Sequence, residues 1–125
     1  LESIAFQTHD VLLAMEKDSG LKIRELRVDG GATVNETLMQ FQADLLDADV
    51  IRAAVTETTA LGAAFLAGLA TGFWGGLDDL RKLWRAGHHF TPVMKDKERN
   101  SLIDEWRRAV MTAGVWADGD KRVTD

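Results

Sequence analysis

Apolar residues recur at helical spacing along the start of the chain. Five positions carry this pattern and predict an N-terminal helix: Leu1, Ile4, Val11, Leu12 and Met15. Gly20 follows them, and glycine commonly ends helices. From Glu25 onward apolar Leu26 and Val28 alternate with charged residues. This alternation predicts a short strand.

A second helix and a second strand are predicted beyond two adjacent glycines. Val34, Leu38, Phe41 and Leu45 recur at intervals of four, three and four residues. This spacing predicts one continuous apolar helix face. The stretch DVIRAAV, residues 49–55, predicts the second strand.

Small residues dominate the segment that follows. Residues 56–73 are rich in alanine and glycine, which predicts a helix that neighbouring backbones can approach closely. Gly75-Gly76 predicts a break, and LDDLRKLW after it predicts a short amphipathic helix. The uncharged run at residues 60–77 is therefore nearer 15 residues of continuous helix, too short to span a membrane. We interpret it as a buried helix.

The last part of the chain predicts one long helix. Residues 90–92 precede it as an extended segment, because the residue before a proline avoids helical geometry. The helix is expected to start near Asp96 or Glu98 and to be followed by a charged, flexible tail at residues 117–125.

The order of these elements predicts an α/β fold that is helix-rich, with about two strands. Two strands make a poor independent sheet. The chain is therefore expected to be part of a larger domain whose remaining strands lie elsewhere.

Composition and charge exclude several classes of protein. A net charge of −5 argues against a nucleic-acid or anionic-membrane partner. The absence of cysteine excludes a disulfide framework and a cysteine-ligated metal site. It also fits a cytoplasmic location.

Gly30 and Gly31 are the main candidates for chemistry. Glycines between a strand and a helix can present free backbone N–H groups to an anion, phosphate above all, and Asn35 offers an amide for a purine or a ribose hydroxyl. A sharp turn without a ligand would explain the same glycines. Asp29 could act as an acid-base group or metal ligand, but a helix cap is the favoured interpretation.

Other polar and aromatic residues favour structural roles. His88 and His89 are expected in a loop, where they lack the partners of a metal site, and His9 is expected to be solvated. The four tryptophans are expected to pack in cores or at their rims: Trp74, Trp84, Trp106 and Trp116.

Three stretches resemble one known family. They are LESIAFQTHDVLLAM, VDGGATVNETLMQFQADLL and ETTALGAAFLAGLATGFW, and they are similar to the glycerol kinases of the FGGY carbohydrate kinase family. The resemblance implies an actin-like, ribonuclease-H-like ATPase fold with ATP bound between two domains. Residues 1–116 would form the C-terminal part of the second domain.

The resemblance also implies the function and the binding residues. The whole enzyme would use ATP and Mg²⁺ to convert glycerol to glycerol 3-phosphate and ADP, in the cytoplasm and as a homo-oligomer. Gly31 and Asn35 match nucleotide-contacting positions, and Gly30 and Ala32 belong to the same turn. No catalytic residue or metal ligand is expected in this chain, which should be inactive alone. The alternatives are another FGGY sugar or polyol kinase, or a non-enzymatic helical interaction module.

The chain departs from the family's pattern just after the glycine turn, before the small-residue helix and in the loop PVMKDKERN before the last helix. Glu36 stands where many glycerol kinases have a second asparagine, and Arg52-Ala53 stands where an Arg-Pro pair is usual.

Overall fold

The computed structural model describes residues 1–55, 57–83 and 85–120, and only the backbone of residues 118–120. Trp84, one of the tryptophans expected to pack, and residues 121–125 of the predicted tail lie outside the described residues. The chain divides into two compact units, Leu1–Pro92 and Val93–Asp125.

The first unit contains all the strands that the structure describes. Its helices and strands are α1 (Glu2–Ser19), β1 (Glu25–Val28), α2 (Glu36–Leu46), β2 (Asp49–Ala53), α3 (Thr58–Ala70), α4 (Leu77–Leu83) and β3 (Ala86–Phe90). A 3-10 turn, Gly31–Val34, lies between β1 and α2. The predicted end of α1 is confirmed, because Gly20 caps it in the left-handed conformation at φ 71°.

The sheet has the order β1-β2-β3, with β2 in the centre. β1 runs parallel to β2 and β3 runs antiparallel to it, so that Leu26, Val50 and Phe90 align across the three strands. Val50 and Phe90 are buried, as are Leu38 and Leu45 of α2. These apolar side chains form the core of the first unit. Leu38 and Leu45 belong to the predicted helix face and Val50 to the predicted second strand, whereas Phe90 lies on a strand that was not predicted. Val34, also expected on the helix face, is 63% exposed because it lies in the 3-10 turn before α2.

α1 packs against α2 through a small set of specific contacts. The rings of Phe6 and Phe41 meet edge to face with centroids 5.7 Å apart. Gln42 Nε2 donates to the Ala5 carbonyl at 3.3 Å, which satisfies a buried amide. His9, expected to be solvated, has a side chain that is only 12% exposed, so that expectation was wrong.

The third strand was not predicted. His88 and His89 lie on β3 and not in a loop. Only Phe90 of this strand is buried, so the sequence AGHHF lacks the apolar alternation by which a strand is recognised. Its extended conformation is fixed by pairing with β2, which a local pattern does not reveal.

α3 is not a buried helix within this chain. Gly68 is its only buried residue, while Leu66 is 71% exposed and Phe73, just beyond its end, is 79% exposed. The break predicted at Gly75-Gly76 is confirmed, since residues 71–76 form turns before α4. In the described part of the chain, no helix is both long and apolar enough to cross a membrane.

The second unit consists mainly of α5 (Asp96–Asp120). It starts at the first of the two predicted residues and includes the first four residues of the predicted tail. Its first turn is held by Arg99, which donates to Asp96 Oδ1 at 2.9 Å and to the Met94 carbonyl at 3.2 Å.

Candidate functional site

The two glycines after β1 have different backbone requirements. Gly30 has φ 87° and ψ 170°, a conformation that is essentially restricted to glycine. Its carbonyl accepts hydrogen bonds from the Thr33 backbone N–H at 3.1 Å and from Thr33 Oγ1 at 2.7 Å. The first glycine is therefore needed to form the turn itself.

Gly31 has no comparable structural reason to be glycine. Its φ is negative, it is exposed, and a Cβ added there would meet nothing within 4 Å. The backbone N–H groups of Gly31 and Ala32 donate no hydrogen bond to any residue that the structure describes. An open surface with two free donors is what a close-approaching anion or polar ligand needs.

The sequence suggested that the glycines lead directly into an α-helix, but they do not. The 3-10 turn intervenes, and α2 begins only at Glu36. Asn35 is the N-cap of α2, and its Oδ1 accepts a hydrogen bond from the Leu38 backbone N–H at 3.0 Å. Its Nδ2 has no partner among the described residues, so this amide still has a donor to offer.

Asp29 is not the helix cap that was favoured from the sequence. The 3-10 turn has Gly30 as its N-cap and no side-chain cap. The Asp29 carboxylate instead accepts a hydrogen bond from the Thr58 hydroxyl at the start of α3. A cap requires the right backbone conformation as well as the right side chain, and Asn35 is the residue that has both.

Arg52 belongs to the site although its sequence position did not indicate this. Its Nη1 donates to the Thr33 carbonyl at 2.9 Å, and its Nη2 lies 3.7 Å from Glu36 Oε1. Arg52 shares the inner face of β2 with buried Val50. A charged residue on the inner face of a strand requires a polar partner, so the strand pattern could indicate that Arg52 has a partner, but not that the partner is Thr33.

The described residues offer no metal site of their own. No group of three or more histidine, aspartate or glutamate side chains is placed to hold an ion. Asp29, the carboxylate nearest the glycines in sequence, is engaged by Thr58.

The family of the chain follows from comparison with known proteins. Residues 1–71, more than half of the chain, match the model of the C-terminal domain of the FGGY family of carbohydrate kinases. The chain belongs to this family. The resemblance found in the sequence is thereby confirmed, together with the α/β fold.

Related sequences point to one branch of the family. The chain is 58% identical over 118 residues to the glycerol kinase of Chromobacterium violaceum and 56% identical to that of Burkholderia pseudomallei. Both matches cover 94% of this chain and 24% of the relative. The chain thus spans about a quarter of the length of these curated relatives.

Solved structures share the fold. The crystal structure of Plasmodium falciparum glycerol kinase with ADP matches 89% of this chain and 22% of that chain, with a TM-score of 0.75 and 37% identity. The xylulose kinase of Rhodospirillum rubrum matches 92% of this chain and 24% of that chain, with a TM-score of 0.70 and 26% identity.

Proposed function

We propose that the whole protein containing this chain is an ATP-dependent glycerol kinase and that this chain forms part of its nucleotide site. The reaction transfers the γ-phosphoryl group of ATP to glycerol and yields glycerol 3-phosphate and ADP. The identity of 58% to a glycerol kinase supports the substrate. The similarity to a glycerol kinase crystallised with ADP supports the nucleotide.

The main observation in support of a nucleotide site is the exposed backbone at Gly31. The fold needs a glycine at position 30 but not at position 31. A ligand lying against the backbone would explain the second glycine, because any Cβ would then intrude. The free N–H groups of Gly31 and Ala32 would donate to it.

Gly30 and Asn35 complete the proposed nucleotide contacts. Gly30 gives the turn its shape, and the Asn35 Nδ2 group would donate to the purine ring or a ribose hydroxyl. Its Oδ1 already caps α2, so the amide would be held in a fixed orientation by its own helix.

The roles that we assign to this chain are binding roles only. Phosphoryl transfer depends mainly on positioning and on charge stabilisation by Mg²⁺ and cationic groups, with a base for the acceptor hydroxyl. We assign no catalytic residue and no Mg²⁺ ligand to the described residues, which lack a suitable ligand cluster. The base and the glycerol contacts would come from other parts of the whole protein.

A second candidate is a different sugar kinase of the same family. The match to a xylulose kinase, with a TM-score of 0.70, supports this alternative. The turn would have the same nucleotide role in that case, because the two candidates differ only in the acceptor.

We further propose that residues 1–116 belong to the second kinase domain and that residues 117–125 are a charged tail whose first four residues continue α5. The whole protein would be a cytoplasmic homo-oligomer. The lack of cysteine fits the cytoplasm. Exposed apolar residues such as Leu66 and Phe73 fit an association surface.

The nucleotide site is tested by changing Gly31 in the full-length protein. Gly31→Asp should weaken ADP binding at least about tenfold, equivalent to roughly 1.4 kcal/mol, because a Cβ and a negative charge would meet the nucleotide. The thermal midpoint should stay nearly unchanged, since a Cβ at Gly31 meets nothing. Isothermal titration with ADP measures the affinity.

Gly114→Asp is the matched control. It places the same side chain at a glycine of α5 where a Cβ also meets nothing within 4 Å. Its ADP affinity should equal that of the unmodified protein. Equal ADP affinity for Gly31→Asp and Gly114→Asp would remove the nucleotide assignment from this turn.

A further inference from the structure

We propose that Arg52 is a positioning residue for the nucleotide-binding turn and that it acts through the Thr33 carbonyl. The inference rests on the proposed nucleotide role of the turn. Arg52 itself lies on the central strand β2, and its guanidinium reaches the turn from there.

A continuous series of hydrogen bonds joins Arg52 to the glycines. Arg52 Nη1 donates to the Thr33 carbonyl at 2.9 Å, and the Thr33 hydroxyl donates to the Gly30 carbonyl at 2.7 Å. Thr33 is buried, so its carbonyl would lose a charge-assisted partner if the guanidinium were removed. The position of Gly30, and with it the direction of the Gly31 and Ala32 N–H groups, is therefore coupled to Arg52.

Arg52 is itself held firmly. Its backbone pairs with Val28 on one side and His88 on the other. Its side chain is 19% exposed and its guanidinium carbon lies 5.9 Å from the centroid of the buried Phe90 ring. The Glu36 carboxylate, 3.7 Å from Nη2, balances its charge.

This anchoring matters because the turn is exposed on the ligand side. A nucleoside di- or triphosphate that meets an already ordered turn does not bear the entropy cost of ordering it. A hydrogen bond from the Thr58 hydroxyl to the Asp29 carboxylate provides a second link, from the residue before Gly30 to α3. The Arg52 hydrogen bond differs from this second link because it is made directly to the backbone of the turn.

Two substitutions in the full-length protein separate positioning from packing. Arg52→Met keeps an unbranched stem over Phe90 but removes every donor. Arg52→Lys keeps the charge and one flexible donor group, without the planar fork of the guanidinium. Arg81→Gln, at an exposed arginine of α4, is the control. ADP affinity, the KM for ATP and for glycerol, and the thermal midpoint are measured for each variant.

We expect Arg52→Met to weaken ADP binding about tenfold and Arg52→Lys to weaken it less. The KM for glycerol should stay within about twofold of that of the unmodified protein. Arg81→Gln should match the unmodified protein. ADP affinity within about twofold of normal in both Arg52 variants overturns the proposal. So does a parallel loss of both nucleotide and glycerol affinity with a lower thermal midpoint, because that indicates a general structural role.

The Gly31→Asp variant shows whether only the proposal for Arg52 is wrong or the proposed nucleotide site is wrong as well. If Gly31→Asp weakens ADP binding and the Arg52 variants do not, the turn binds nucleotide but Arg52 does not position it. If Gly31→Asp also leaves ADP binding unchanged, the nucleotide site itself is wrong, and the proposal for Arg52 is overturned with it.

Discussion

At the scale of single residues, neighbouring glycines have separate explanations. Gly30 adopts a backbone conformation that only glycine accepts readily, while Gly31 has an ordinary one beside open space. The sequence GG does not distinguish them, because the difference depends on the sign of φ. The turn itself explains Gly30, so the proposed contact with a nucleotide is needed only to explain Gly31.

Asn35 should have two separable roles. Asn35→Ala removes both the cap of α2 and the Nδ2 donor, so it should lower stability by about 0.5–2 kcal/mol and also weaken ADP binding. Asn35→Asp keeps an oxygen that can accept from the Leu38 N–H. It should therefore retain stability while losing ADP affinity. Thermal unfolding and ADP titration of both variants measure the two effects.

The outcome that contradicts the assignment of Asn35 is specific. If Asn35→Asp binds ADP as well as the unmodified protein does, the Nδ2 group makes no contact with the nucleotide. Asn35 would then be a helix cap only.

At the scale of elements, the sequence predicted every α-helix and two of the three strands that the structure describes, and it predicted burial best where the covering neighbours belong to this chain. α2 and β2 show clear patterns because Leu38, Leu45 and Val50 are buried by neighbours that the structure describes. The strand β3 was missed and the expected burial of α3 was wrong, for opposite reasons, although α3 itself is the helix that was predicted. β3 is mostly exposed and has too few apolar residues, whereas α3 is apolar on all sides and suggests burial that this chain does not provide.

The candidate site was predicted only in part, because some of its features depend on backbone angles and on contacts between distant residues. The glycines were visible as a pair, but the choice of Asn35 over Asp29 as the cap depends on backbone angles. The role of Arg52 depends on a contact with Thr33, nineteen residues earlier. Contacts over such a distance are set by strand register, and no local pattern encodes them.

The end of α3 allows a direct test of side-chain packing. Trp74 folds back onto Gly68, where an added Cβ would overlap its ring. The Trp74 ring also meets the Phe65 ring edge to face, with centroids 5.2 Å apart. Gly68→Ala in the full-length protein should therefore displace the ring and cost about 1–3 kcal/mol. Gly62→Ala in the same helix meets nothing within 4 Å and should stabilise by up to about 1 kcal/mol.

Thermal unfolding of the two alanine variants measures the difference. An increase in stability for Gly68→Ala equal to that for Gly62→Ala would mean that the Trp74 ring does not pack on Gly68.

At the scale of the whole molecule, residues 1–125 expose apolar side chains that a longer protein could cover. Leu66, Phe73 and Leu77 are all exposed, and the chain spans about a quarter of its relatives. We expect residues 1–125 expressed alone to associate through these side chains and to show no glycerol phosphorylation. Light scattering after size exclusion measures the association. A strictly monomeric fragment that unfolds cooperatively would contradict this expectation.

The reaction proposed for the full-length protein is tested by steady-state kinetics with ATP and different acceptors. We expect a kcat/KM for glycerol at least about tenfold above those for xylulose and erythritol, or roughly 1.4 kcal/mol of difference in transition-state stabilisation. A kcat/KM for xylulose or erythritol equal to that for glycerol would contradict the glycerol kinase assignment.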